Sequence, residues 1–371
     1  MLAELATRHR VPGAQLATAE DTTVVGSLTA ASAVPLGSLT KPCTAALVVL
    51  LAQDGDLDLH APLSGQPFTA AQLLSHTAGL ASDLPAGAEL PADRRAWLAW
   101  HRPRPVHEPG TVFSYSNLGY LVAGALVEQI TGMTWAEAVT DILLDPLGIT
   151  PGFVLGDSPR PVATGHSALG ARVVAVGEDD LPEVEAPAGA LALSADDLRA
   201  LALGLPEQMR TDQLAGTTIG PYGMAAGWGL GWAAYPDGWW GHDGTGAGTS
   251  CHLRFRPATG EVLALTTTAN TGHQLWRELV HETTPTGRAE PPDCLGRYTN
   301  GEVELAVEPG PDGPLLVLGG RPHSRLVCHE GGRFSAHELT GHAVHAGRFV
   351  TGPDGRAEYL QLTARLARRT P

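Results

Sequence analysis

Ser38 and Lys41 stand three residues apart in Gly37-Ser38-Leu39-Thr40-Lys41, where a long apolar run begins. On a helix that spacing is about one turn, so the hydroxyl and the amine share a face. A serine hydroxyl is a weak nucleophile until a base takes its proton, and a neutral amine can be that base. Burial against the apolar wall that starts at Pro42 would favour the neutral amine. A helix N-terminus would favour negative charge developing on Ser38. Of the 24 basic residues 23 are Arg, and Lys41 is the one lysine. In a chain rich in Ala, Gly, Pro and Arg, a position that stays Lys needs what Arg cannot do, which is to give up its proton. Ser-x-x-Lys alone is common; the bland alternative is Ser38 as a helix cap with Lys41 solvated in the first turn.

Two further segments weigh against that alternative. Tyr115-Ser116-Asn117 precedes a helical pattern, with Asn117 expected as its cap. A tyrosine beside a lysine can shuttle a proton, and an amide can hold a substrate carbonyl. An ordinary helix start with a packed aromatic is the competing use. Trp240-Gly241-His242-Asp243-Gly244-Thr245-Gly246 reads as a strand edge whose glycines permit close backbone approach, as when a substrate pairs along it. A Gly-rich hairpin with an incidental histidine is the alternative there.

Together, in this order and at these separations, the three segments resemble the serine β-lactamase and penicillin-binding-protein superfamily, most closely its class C-like branch of esterases, D,D-peptidases, D-aminopeptidases and acyltransferases. The resemblance spans about residues 5–283 and includes Thr69–Leu80, Gly119–Gly124 and Pro187–Asp197. It implies Ser38 as the acylated nucleophile, Lys41 and Tyr115 as the proton-transfer pair, and Asn117 as the residue that orients substrate. His242 falls where the family has the first residue of Lys-Thr-Gly. The backbone N–H groups of Ser38 and Thr245 would form the oxyanion hole, with Asp243 and Gly244 bordering the substrate.

The departures from the pattern are His242 for a permanent cation and Asp243 for a hydroxyl. If Asp243 faces the cleft it repels a substrate carboxylate; on a strand it can instead point away. Either way the pair disfavours β-lactams and favours a neutral ester or amide, or an amine acceptor. The implied activity is acyl transfer through a Ser38 acyl-enzyme, as a hydrolase or an ester-to-amide transacylase, of the kind found in secondary metabolism. A D,D-peptidase or D-aminopeptidase, and a non-catalytic penicilloyl-binding protein, are the alternatives. No cofactor and no metal is implied.

The elements that must position these residues follow from pattern. Gly13–Glu20 and Thr22–Leu28 read as strands, Ser38–Gln53 as a helix, and residues 56–190 as a mostly helical lobe. Its helical patterns are Thr69–His76, Ala92–Trp100, Asn117–Ile130 and Thr134–Leu144. From Gly227 strands return (Gly227–Tyr235, Trp239–Asp243, Thr249–Arg256, Glu261–Thr268) before a helix at His273–His281. The expected fold is α/β: a β-lactamase/transpeptidase-like domain over 1–283, with an antiparallel sheet flanked by helices plus a helical lobe. A linker at 284–293 and a small antiparallel β domain at 294–371, barrel-like and lipocalin-like, complete it.

Composition sets the outer limits. Hydrophobic residues at 43% and charged residues at 17% permit a large core. A formal charge of −15 is a poor match to a phosphate backbone, so no nucleic acid is expected. The longest strongly apolar run, 45–52, is far short of the roughly 20 residues of a membrane span, and the start carries no leader pattern, so no membrane and a cytoplasmic location are expected. Cys43, Cys251, Cys294 and Cys328 lack metal or redox spacing and read as reduced thiols. His337–His342 has one residue too many for HExxH. Residues 178–180 with Glu183 and Glu185 read as a solvated acidic loop. Trp228, Trp232, Trp239 and Trp240 could line an acyl pocket or, more simply, pack the strands.

Overall fold

The computed structural model describes residues 1–84, 93–156, 158–169, 172–177, 181–214, 216–282, 287–340 and 344–370, with Trp100 as backbone only. Two distant stretches of chain build one seven-stranded antiparallel sheet. β1 (Gly13–Thr18) and β2 (Thr22–Gly26) come first; β3 (Gly227–Trp228), β4 (Ala233–Ala234), β5 (Trp240–Gly246), β6 (Thr249–Arg256) and β7 (Glu261–Thr267) follow 200 residues later. Their order is β2-β1-β7-β6-β5-β4-β3. β1 closes on β7 with Ala14 opposite Thr267 and Thr18 opposite Leu263. Helices cover both faces, which is why β6 is buried almost throughout.

On one face α1 (Leu2–Arg8) and, from the far end of this region, a helix at Gly272–Leu279 pack Leu5, Leu275 and Trp276 over Ala14 and Leu265. The other face meets the main core, built around α2 (Lys41–Gln53), α3 (Asn117–Thr131) and α4 (Ala195–Gly204). α2 is apolar on nearly every side because it runs through the centre of that core. Pro42 sits in its first turn, where an amide hydrogen has no intrahelical partner. α3 is capped by Ser116, whose Oγ accepts the Gly119 N–H at 3.0 Å, and not by Asn117 as expected; the Asn117 amide is thereby free for other work. α4 opens on a cap at Ser194, in a capping box with Asp197.

Some elements depart from expectation. Gly227–Tyr235 is not one strand but the tight hairpin β3–β4, folded back by Gly229 N–H to Trp232 C=O at 2.8 Å. Gly231 within it has φ +81 and sits where a Cβ would lie 2.6 Å from Ala45. Thr134–Leu144 is an α turn followed by a π turn. The pattern at 92–100 appears as Arg94–His101, Ala92 lying outside the described residues.

The C-terminal region forms a closed eight-stranded antiparallel barrel: β8 (Gly296–Asn300), β9 (Val303–Glu308), β10 (Leu315–Leu318), β11 (Arg321–Cys328), β12 (Arg333–Glu338), β13 (Val344–Thr351), β14 (Ala357–Leu362) and β15 (Arg365–Arg369). β15 pairs back to β8 at Tyr298 and Thr299. The interior is filled by side chains, among them Tyr298, Leu316, Leu326, Phe334, Phe349 and Leu360, as fits a barrel of this strand number. Its architecture is lipocalin-like, but its middle is a packed core.

The barrel docks on the first domain through the β14–β15 hairpin and through side chains of other strands, among them Asn300 and Arg348. Thr363 and Ala364 join β14 to β15 with φ of 46° and 66°, the paired positive values of a two-residue type I′ turn. Ala364 is buried with Phe113, Tyr115 and Trp228. The Tyr115 N–H donates to Ala364 C=O at 2.9 Å, and the Leu366 N–H to Ser114 Oγ at 3.1 Å. Asn300 accepts from Ser82 N–H at 2.7 Å and donates to Leu366 C=O at 2.8 Å.

Candidate active site

Ser38 lies in a single 3₁₀ turn, Gly37–Thr40, that feeds directly into α2. In such a turn residues i and i+3 nearly eclipse, and the Lys41 Nζ donates to Ser38 Oγ at 2.9 Å. Lys41 has no exposed surface. Its other partner is the Ala188 carbonyl at 2.8 Å, and its amine lies 5.2 Å and 5.6 Å from the ring centres of Tyr115 and Tyr120. Burial pushes its pKa down to about 7; Arg365 acts in the same direction, Asp83 and Glu185 against it. The amine can therefore be neutral at physiological pH while held on the serine hydroxyl.

Two glycines press the sheet edge onto this turn. A Cβ on Gly37, whose φ is +51°, would lie 2.0 Å from the Thr245 carbonyl oxygen; one on Gly244 would lie 2.0 Å from Leu36 O. Only glycine allows the approach. Along β5 the amide direction alternates. Trp239 C=O accepts from Tyr235 on the β4 side, so Thr245, an even number of residues on, aims its N–H to that side too. β4 has ended by then, pairing only with Trp240 and Gly241. The Thr245 N–H is thus presented at an open edge beside Ser38. Gly244, expected to border substrate, instead makes the backbone contact that brings this edge in.

Tyr115 arrives from the loop before α3. His76 stacks on its ring at 4.1 Å and accepts the Ser116 N–H on Nδ1 at 3.1 Å. The Tyr115 hydroxyl faces Ser38 without a well-formed hydrogen bond. Burial raises its pKa well above the usual phenol range, offset in part by the Ser38 hydroxyl and Arg365. His242 lies behind it, ring centres 6.2 Å apart, and packs edge-on to Trp228. Its Nδ1 lies 2.6 Å from the Asp243 carbonyl, which assigns the proton to Nδ1 and leaves Nε2 a buried acceptor with no partner among the described residues. Burial, then Lys41, pushes its pKa down to about 3. It is a neutral imidazole, not a substitute cation. Of the four tryptophans Trp228 makes ring contacts within this cluster; Trp239, under Arg256, packs at the edge of the surrounding apolar group, and Trp232 packs on Phe255.

Asn117 is in the cleft as expected, and its Nδ2 donates to Asp83 at 2.6 Å. Asp83 in turn pairs with Arg365 at 3.4 Å, and that guanidinium lies 5.3 Å from the Tyr115 ring centre. The cleft in front of Ser38 is lined by Asn117, Leu181, Glu185, Gly189, Thr245 and Gly246, among others. Sequence reasoning missed His76, Asp83 and Arg365, and read Glu185 as a solvated loop residue. Only His76 carried a local signal, since it lies within the Thr69–Leu80 segment. Residues 178–180 lie outside the described residues.

Asp243, expected to border the substrate, takes the second of the two orientations open on a strand and points away from the cleft. Its carboxylate is held by both terminal nitrogens of Arg254 at 2.9 Å and by His252 Nδ1 at 2.7 Å. Arg254 and His252 stack on Tyr235 and Trp276 respectively. Burial works against its ionisation, but Arg254 and His252 hold it well below the usual carboxylate range. The charge is spent inside the fold, so Asp243 does not border substrate with a free carboxylate. The hairpin register could have shown this: a turn at Gly246–Gly248 sets 243 opposite 252.

Among the described residues no group of three or more His, Cys, Asp or Glu could hold a metal ion. His337 lies on β12, and His342 lies outside the described residues. The four cysteines are free and buried. No described helix is long and apolar enough to cross a membrane.

Penicillin-binding protein 4 of Amycolatopsis lactamdurans is 31% identical over 329 residues, covering 75% of this chain and 86% of that protein. The crystal structure of SurE superposes with a TM-score of 0.84 at 35% identity, over 100% of this chain and 97% of that one; SurE with D-Leu gives 0.81 at 34%. A D-stereospecific amidohydrolase from Streptomyces gives 0.57 at 25% identity, over 74% of this chain and 96% of that one. The Beta-lactamase family model matches residues 1–283; the chain belongs to the beta-lactamase family of serine hydrolases.

Proposed function

We propose that this chain transfers acyl groups through an ester on Ser38, taking them from a neutral ester or amide and passing them to an amine or to water. The observation that carries the reading is the buried Lys41 amine on the Ser38 hydroxyl at 2.9 Å. The neutral amine takes the hydroxyl proton as Oγ attacks the carbonyl carbon. The carbonyl π pair moves onto oxygen, where the Ser38 and Thr245 N–H groups stabilise it. As the intermediate collapses, the proton passes by way of Lys41 or Tyr115 to the leaving group. The acyl-enzyme then meets its acceptor and the same groups run in reverse.

Two observations support a substrate of this kind. The buried, neutral His242 supplies no permanent cation for a carboxylate. SurE has been crystallised with D-Leu, and the amidohydrolase is D-stereospecific, which supports an acyl donor or acceptor built on a D-configured residue. The test is intact mass after incubation with an activated ester of a D-amino acid, with and without added amine. An acyl adduct on the peptide that holds Ser38, its loss in Ser38→Ala, and amide product when amine is present are expected. An adduct that survives Ser38→Ala, or an adduct that never turns over, would sink the reading; the second outcome describes a non-catalytic binder.

A further inference from the structure

The cleft holds one charged side chain that acyl-enzyme formation does not use. Glu185 is the only ionisable group among the described residues that line it. The neighbouring acid, Asp83, is committed to Asn117 and Arg365. The Glu185 carboxylate has no hydrogen-bond or ion-pair partner among the described residues, although it is half-buried, where an unpaired carboxylate is costly.

The turn that carries it is tied down from several sides. Arg94, itself buried and paired with Glu128, donates to the carbonyls of Glu183 and Val184 at 2.7 Å and 2.8 Å. Thr44 donates to Pro187 C=O at 2.7 Å and Lys41 to Ala188 C=O at 2.8 Å. Glu185 therefore stands in a fixed relation to the catalytic amine, three residues before the carbonyl that holds it. Burial and then Asp83 raise its pKa, with Lys41 opposing, so it is a better proton acceptor than a solvated glutamate.

We infer that Glu185 is the acceptor-binding residue: it takes the ammonium of an incoming primary amine and accepts one proton from it. This rests on the acyl-enzyme reading above and names the class of acceptor. The ammonium gives a proton to the carboxylate, leaving a neutral amine. Its lone pair forms the C–N bond to the Ser38 ester as the carbonyl π pair moves onto oxygen. On collapse the C–Oγ bond breaks, and a second proton leaves nitrogen and reaches Oγ through Lys41. Amide and free Ser38 result, and Glu185 returns its proton to water.

The test loads the protein and its Glu185→Gln variant from an aryl ester and offers propylamine and methanol together at neutral pH. Intact mass reports the Ser38 adduct, and product analysis gives the amide to methyl ester ratio. That ratio is expected to fall about tenfold in Glu185→Gln, the equivalent of about 1.4 kcal/mol, and to recover in part in Glu185→Asp, which keeps the charge. An unchanged ratio in Glu185→Gln, with the adduct formed, would overturn the inference while leaving the acyl-enzyme intact. A parent that never forms the adduct would overturn both.

Discussion

His242 and Asp243 are neighbours on β5, yet they belong to opposite kinds of interior. His242 joins Tyr115, His76 and Trp228, a cluster in which buried polar atoms lack partners among the described residues. Asp243 faces Arg254 and His252, where the carboxylate meets the guanidinium and an imidazole nitrogen, and the outer nitrogen of His252 reaches Ser250 at 2.8 Å. Both sets are largely buried, with Asp243 itself partly exposed. The cleft side leaves titratable groups ready to gain or lose protons and bonds; on the far side the carboxylate and the guanidinium match one another, although Tyr235 Oη and Trp276 Nε1 beside them also lack partners among the described residues. The difference between the two lies in whether the ionisable groups are matched, not in whether every polar atom is satisfied.

Lys41→Arg cuts deepest into this contrast. Arg keeps the charge but cannot become neutral, so acylation should fall by about 10²- to 10⁴-fold, read as pre-steady-state release from an aryl ester. Near-normal acylation would mean that Lys41 acts through charge alone, and the cleft side would then resemble the far side.

The reciprocal change strikes the far side. Asp243→Asn leaves Arg254 buried without its counter-charge, which should cost about 3–5 kcal/mol of stability, measured by urea unfolding. Removing Arg254 as well (Asp243→Asn with Arg254→Met) should restore a good part of it. A stability close to the parent's in the single variant would show that the network is not structural.

The gentlest probe is pH. Lys41 must be neutral to act as base, and its pKa is about 7. The rate should therefore be full above that value and fall about tenfold per unit below it, since each unit lowers the neutral fraction tenfold. His242, at about 3, adds no second inflection between pH 5 and 8. A profile of log kcat/KM for a neutral ester that stays flat down to pH 5.5 would contradict the assignment of Lys41.

The parts of this site that could be read from sequence were those whose geometry is local. Ser38 and Lys41 share a turn, and Tyr115 and Asn117 bracket a helix start. An antiparallel sheet in the first domain and a small barrel-like β domain after it followed from strand patterns and turn residues, though Gly227–Tyr235 read as one strand and is two. What could not be read depended on topology. Arg365 comes from the last barrel strand, Asp83 from a loop 34 residues before its partner Asn117, and Glu185 from a turn whose carbonyls are held by Arg94. The orientation of Asp243 was open for another reason: alternation fixes that neighbours diverge but not which one faces the core, until the partner strand supplies Arg254 and His252. The earlier case against β-lactams thus keeps only its first half, the loss of the cation at His242.

The I′ hairpin at Thr363 and Ala364 sets an order in time. Ser114 and Tyr115 emerge from the ribosome long before the hairpin residues they bond, since Ser114 Oγ and its donor, the Leu366 N–H, lie 252 positions apart. A nascent chain can present Ser38 and Lys41 on their turn well before Tyr115 has its final support. Completion of the reactive centre is thereby deferred to the barrel, and any shortening of the chain that removes the hairpin removes part of the floor beneath the nucleophile.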